Sequence, residues 1–196
     1  TFEVTLNITG TPQDAPVDVV LVIDRSGSMG FTATTNPTRT RLYYAKQAAI
    51  NFAGRVLGPN GIPGSRVSVV SFSGPTSTTG TGYQSQASTD LNLSTNLQIV
   101  TNTINGIEAV GGTNTEAGFK QGQTVIQGAT SNQNPDSNKV VIMLTDGLPT
   151  ASNGNKYAES TDINHIHIQR AIAAGKYIYQ NNIADVFTIG LTTGMN

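Results

Sequence analysis

Cysteine is missing from all 196 residues. That removes disulfides, thiolate zinc sites and thiol nucleophiles together. It fits a cytosolic protein or a bacterial surface protein that avoids disulfides, and counts against a small animal extracellular module. Charge is scarce as well: 12% of residues are Asp, Glu, Lys or Arg, low for a soluble domain, and the formal net charge is -1. The Lys and Arg residues are scattered, so no basic stripe is present to neutralise a phosphate backbone, and nucleic acid is not an expected partner. Long apolar runs are also lacking. The longest, residues 19–23, is far too short to cross a bilayer, and no signal peptide opens the chain, which reads as a mature piece or a cytosolic protein. Thr, Ser, Asn, Gln and 21 glycines take up the balance, giving a surface that is polar without being charged, as is common in secreted proteins. At 20.5 kDa the chain suits one domain with a sizeable core.

The apolar segments that do occur have two periods. "TFEVTLNI" alternates Phe2, Val4, Leu6 and Ile8 with polar residues, as in a half-buried strand. Residues 17–23 are nearly continuous in Val, Leu and Ile, as in a strand covered on both faces. "RTRLYYAKQAAINFAGRVLG" places Leu42, Ala45, Ala49, Phe52 and Val56 on one helical face that Gly58-Pro59 closes. A buried strand follows in "SRVSVVSFSG", and "YQSQAST" is expected to return as a short polar edge strand. "TNLQIVTNTINGI" reads as a helix, and "TEAGFKQGQTVIQGA" as another with Thr115 as its N-cap. "KVVIMLTDG" is a strand, "DINHIHIQRAIAAGKYIYQNN" a long helix and "ADVFTIGL" a last strand. The alternation predicts an α/β fold: a doubly wound, mostly parallel sheet with one antiparallel edge strand and helices on both faces. Residues 1–16 form a lead-in and 17–196 the domain, which is expected to lack its final helix.

Right-handed crossovers bring the carboxyl ends of the parallel strands to one rim. "VDVVLVIDRSGSMG" ends its strand there with Asp24, Ser26 and Ser28; "KVVIMLTDG" ends there with Asp146; and the loop "GGTNT" returns Thr113 to the same rim. Two carboxylates and three hydroxyls form an oxygen-only set that suits a hard divalent cation such as Mg²⁺, Mn²⁺ or Ca²⁺. An inner shell of mostly neutral hydroxyls leaves such an ion positive enough to attract an outside carboxylate. A helix-capping serine in an ordinary strand-to-helix loop explains one of these residues and leaves Asp24 without a role.

"DRSGSM", followed by the Thr of "GGTNT" and the Asp of "LTDG", resembles the von Willebrand factor A-type domain and its metal-ion-dependent adhesion site. The likeness covers nearly the whole chain. It implies that Ser26, Ser28 and in some states Thr113 touch the ion, and that Asp24 and Asp146 hold it directly or through water. A partner's Asp or Glu would complete the shell. The leading strand and the missing cysteines look most like such domains in pilus-tip or wall-anchored adhesins of Gram-positive bacteria. This implies Mg²⁺ as the first-choice ion, an extracellular place on a cell surface or pilus, and a host or matrix protein as ligand. The other function class is an intracellular assembly module, as in chelatase or co-chaperone relatives, with the same site holding a protein partner.

The loops of residues 74–82 and 147–162, with Arg25, Met29, Phe31, Asn114 and Leu148, are expected to ring the ion and select the ligand. His165 and His167, two apart on a helix, would point about 200° from each other and so do not form a zinc pair. Tyr43, Tyr44, Tyr177 and Tyr179 fit amphipathic packing. Asn7 and Asn92 head glycosylation patterns that arise easily in a Thr- and Asn-rich chain. Phosphate loops and nucleophile-elbow motifs are absent, and no histidine is placed at the rim to activate a serine. The expectation is a binding module rather than an enzyme.

Overall fold

The computed structural model describes residues 15–33, 39–75, 87–129, 136–155 and 157–191. The lead-in strand expected at residues 2–8 lies outside them. So does most of the 74–82 loop. Five strands form one sheet: β1 (Val17–Asp24), β2 (Arg66–Phe72), β3 (Ser88–Ser94), β4 (Asn138–Thr145) and β5 (Asp185–Gly190), in the order β3-β2-β1-β4-β5. β1 pairs in parallel with β2 and β4, β4 pairs in parallel with β5, and β3 runs antiparallel to β2. Four helices accompany them: α1 (Arg41–Leu57), α2 (Leu97–Asn105), α3 (Thr115–Gly128) and α4 (Ile166–Gln180).

The β-branched runs form strands because both of their faces are covered. Val19, Leu21 and Ile23 of β1 pack with Leu42, Ala45, Ala49 and Ala53 of α1 and with Val100 and Ile104 of α2. Their neighbours Val20 and Val22 pack on the other face with Phe119 and Ile126 of α3 and Ala174 and Ile178 of α4. Full burial of each such aliphatic side chain contributes roughly 1.5–3 kcal/mol, so the central strands anchor the sheet. At the β5 edge the burial falls away, and Phe187 and Ile189 are exposed.

Three local expectations shift. The described edge strand covers residues 88–94 and so runs past the expected end at Thr89, with Thr89, Leu91 and Leu93 as the half-buried positions of the alternation, while residues 83–86 of the expected strand lie outside the described residues. The N-cap of α3 is Asn114, whose side chain accepts the Ala117 N–H at 3.0 Å; Thr115 is already inside the first turn. The helix holding the histidines starts at Ile166, with His165 as its cap. Its ring therefore does not follow helical spacing, and it lies edge-on against His167 with centroids 4.7 Å apart.

The chain runs outward from β1 to β2 and β3, then returns to the other side of β1 with β4. The strand order thus reverses between β1 and β4, and a crevice opens at their carboxyl ends, where open α/β sheets bind ligands.

Candidate metal centre

β1 and β4 end side by side, with Ile23 opposite Leu144. The next residues therefore meet at the rim: Thr145 donates its hydroxyl to Asp24 Oδ2 at 2.6 Å. The chain then turns sharply, with Ser26 N donating to Asp24 Oδ1 at 2.8 Å. A short 3-10 turn, Gly27–Gly30, carries Ser28 back toward the crevice. Ser26 Oγ and Ser28 Oγ lie 3.1 Å apart, and Ser28 donates to Asp146 Oδ1 at 2.9 Å. Asp24, Ser26, Ser28 and Asp146 thus form one connected set, although the ends of the set are separated by more than a hundred residues of chain.

Thr113 reaches this set through the backbone. Val110 N donates to Arg25 O at 2.6 Å and Gly27 N to Gly111 O at 2.7 Å, which stitches the two rim loops together. Gly111 has φ 86°, a conformation that favours glycine. At Gly112 a Cβ would stand 2.3 Å from the Pro75 carbonyl oxygen, so only glycine allows the close approach. Behind Thr113, its carbonyl accepts N–H groups from Thr150 and Ala151 at 2.9 and 3.0 Å, and its own N–H donates to Thr150 Oγ1 at 2.9 Å. The loop after Asp146 is pinned further by Glu116, which accepts from Asn153 N at 2.9 Å.

The cradle is deeply set. Asp24 is 0% exposed, Ser26 1%, Asp146 3% and Thr113 4%. Burial pushes the Asp24 carboxyl up to about 6; the hydrogen bonds from Thr145 and Ser26 oppose this, and the nearby Asp146 charge adds a little to it. Asp146 is partly neutralised by Arg41, whose Nη1 donates to Oδ2 at 2.8 Å.

The donor set fits a hard divalent cation. Octahedral Mg²⁺ with ligands at about 2.1 Å has ligand-to-ligand edges of about 3.0 Å. The Ser26–Ser28 and Ser28–Asp146 oxygen separations of 3.1 and 2.9 Å match such edges. Among the described residues no three His, Asp or Glu side chains gather as a metal-ligand cluster. His167 does not provide one: it is buried, with Nδ1 2.9 Å from Ser152 Oγ.

The expected ligand-selecting ring divides. Phe31 and Leu148 are exposed, at 64% and 48%. Arg25 lines a groove of about 680 Å³ with Asp90, Asn102 and Glu108, beside the cradle. Met29 is a correction: the 3-10 turn rolls its side chain into the core beneath α1, where it is 0% exposed. Asn114 is another, since it is 2% exposed and both caps α3 and donates to Asn153 Oδ1. Sequence reading missed Arg41, Thr145, Thr150 and Glu116. Thr145 alone had a visible signal, as the neighbour of a rim aspartate; the others meet the site only through tertiary contacts.

Residues 19–148 match the family model of the von Willebrand factor type A domain. The chain belongs to that family. Curated protein sequences give no match. Among solved structures, the von Willebrand factor domain of the type V pili tip protein Mfa5 from Porphyromonas gingivalis is 25% identical, with a TM-score of 0.55 over 81% of this chain and 50% of that one. The pilus adhesin SpaC from Lactobacillus rhamnosus GG is 25% identical, with a TM-score of 0.59 over 90% of this chain and 24% of that one. Proximal thread matrix protein 1 of the mussel byssus, solved with zinc in its MIDAS motif, shares the fold at 21% identity and a TM-score of 0.57, over 90% of this chain and 38% of that one. The chain thus spans half or less of the length of these proteins. As a von Willebrand factor A domain, it has the mostly parallel sheet flanked by helices that its neighbours share. Among the described residues no helix is long and apolar enough to cross a membrane.

Proposed function

We propose that this von Willebrand factor A domain is a protein-binding module of a bacterial surface or pilus adhesin. It would capture an acidic side chain of a host or matrix protein at the rim between β1 and β4. Ser26, Ser28 and Thr113 would supply hydroxyl oxygens, with Asp24 and Asp146 holding the charge. A divalent cation, Mg²⁺ first, would supply the positive centre to which the partner's Asp or Glu binds. The observation that carries this reading is the linked set of Asp24, Ser26, Ser28 and Asp146 oxygens, gathered from two strand ends at octahedral-edge spacing. The pilus-protein neighbours support the adhesive and extracellular reading over an intracellular assembly role.

The residues around the cradle favour selection of a protein surface. Phe31 and Leu148 offer exposed apolar contacts beside it, a common anchor pattern at protein interfaces. Catalysis has no part in the proposal. Ser152 and His167 do form a Ser–His pair, but both are 1% exposed and closed to substrate, and the two rim serines bond to each other, with Ser28 also donating to Asp146.

Calorimetric titration of Mg²⁺, Mn²⁺ and Ca²⁺ into the EDTA-stripped chain tests the site, beside an Asp24→Ala/Asp146→Ala variant. One saturable site that the variant lacks is the expected result. Equal heats in both proteins, with or without added acetate as a carboxylate mimic, would overturn it.

A further inference from the structure

The four carboxylate oxygens of the cradle are capped unequally. Asp24 takes a backbone N–H and the Thr145 hydroxyl, and Asp146 Oδ1 takes the Ser28 hydroxyl. These three donors are neutral, and a hydroxyl can swing its hydrogen aside and present a lone pair instead. Asp146 Oδ2 differs because its partner is the Arg41 guanidinium, a permanent positive charge that has no lone pair to offer. Among the described residues, Arg41 makes the one ion pair to a cradle carboxylate.

Helix stability does not explain that arginine. It is the first residue of α1, where the positive end of the helix dipole disfavours a cation, and the first turn holds no acid to offset it. Its backbone is fixed by Arg41 N donating to Phe31 O at 3.0 Å, and its guanidinium carbon stands 6.0 Å from the Phe31 ring centre. Arg41 is thus held between an exposed aromatic ring and a buried aspartate, its side chain 27% exposed against 0% for Asp146.

We propose that Arg41 is a built-in competitor for Asp146, a cation belonging to the chain that a divalent ion must displace or share. This rests on the cation-binding reading of the cradle. The pair holds the Ser28–Asp146 half of the site in shape, and it raises the ion concentration at which the site fills. The filling threshold is then a property of one side chain outside the oxygen donor set. Displacement would free the guanidinium beside Phe31, where it can meet the acidic partner.

The test compares the full chain with Arg41→Gln and Arg41→Lys, each stripped with EDTA, using Mn²⁺ and Mg²⁺ titration and thermal melting with and without ion. Arg41→Gln is expected to bind Mn²⁺ tighter by about fivefold, near the upper end of what one partly exposed ion pair contributes. It should also melt lower than the parent in EDTA and gain more from added ion. Arg41→Lys keeps the charge but loses the planar fork, so it should fall between the two, and it serves the comparison if Arg41→Gln folds poorly. Equal or weaker ion binding by both variants, with the parent binding normally, overturns the competitor and leaves the site intact. Failure of all three proteins to bind any ion overturns the competitor together with the site; binding only in the variants supports it most strongly.

Discussion

β1 carries a fully buried aspartate near each end, and the two have opposite settings. Asp18, at the amino end, accepts Arg66 Nε at 2.8 Å, Arg66 Nη2 at 2.7 Å and Ser137 Oγ at 2.8 Å. Its charge is met by a bidentate guanidinium, the strongest side-chain partner available, and the same contact raises the arginine's pKa. Asp24, six residues further on, is met among the described residues by neutral donors, the Ser26 N–H and the Ser26 and Thr145 hydroxyls, and burial raises its carboxyl to about 6. Both are 0% exposed, so depth does not distinguish them. What differs is whether the chain supplies a full countercharge. Asp18 is a finished lock between β1 and β2; Asp24 is a charge the fold leaves short of compensation at the mouth of a crevice.

Neutral isosteres break that comparison most directly. Asp18→Asn should cost about 3–5 kcal/mol, since it removes the buried carboxylate charge that Arg66 meets with two hydrogen bonds, and urea unfolding should show that loss with or without divalent ions. Equal costs for Asp18→Asn and Asp24→Asn in EDTA would mean that the two aspartates are compensated alike.

Asp24→Asn should instead leave stability in EDTA at pH 7 unchanged or raise it by up to about 2 kcal/mol, while abolishing ion binding. The sign follows from linkage. With its folded pKa at about 6 against 3.8 unfolded, the native state binds more proton between those values. Asp24's contribution is therefore full below about pH 4 and is lost as pH rises through about 6. Urea midpoints measured from pH 4 to 7 should fall for the parent relative to Asp24→Asn. Parallel curves would show that Asp24 is compensated after all.

The smallest effect belongs to the rim. Phe31→Ser should move stability by less than about 0.5 kcal/mol, because the ring is 64% exposed, and it should leave ion affinity nearly unchanged. Any change should appear in capture of the proposed acidic partner, measured by surface binding at saturating Mg²⁺.

The sheet and the rim placement of Asp24, Ser26, Ser28, Thr113 and Asp146 could be read from the chain because both are local statements. A β-branched run predicts its own strand, and an acid at the run's end is placed by strand direction alone. Met29 was misplaced because its fate depends on the tightness of the 3-10 turn, which "SGSM" does not announce. Asn114 looked like a rim residue for a similar reason: whether it or Thr115 caps α3 is decided by one backbone turn. Arg41 and Glu116 were invisible as site residues. Each acts on a segment far away in the chain, Asp146 and Asn153, and no spacing rule reports such a meeting. The strand β3 runs on to Ser94, past the expected end at Thr89, because polar "STDLNLS" gains its pairing from β2 rather than from its own apolar content.

The parallel course of β1, β4 and β5 also determines how the sheet would carry a load applied across its described ends. The described chain enters at the amino end of β1 and leaves β5 at the opposite end of the sheet, two strands across. Tension between residues 15 and 191 would therefore run along the strands. The ladders joining β1 to β4 and β4 to β5 would be sheared, with their bonds strained together instead of peeled one after another. Asp24 and Asp146 sit at the end of the first of those ladders, so a pull between those two ends would pass through the strands that carry the cradle.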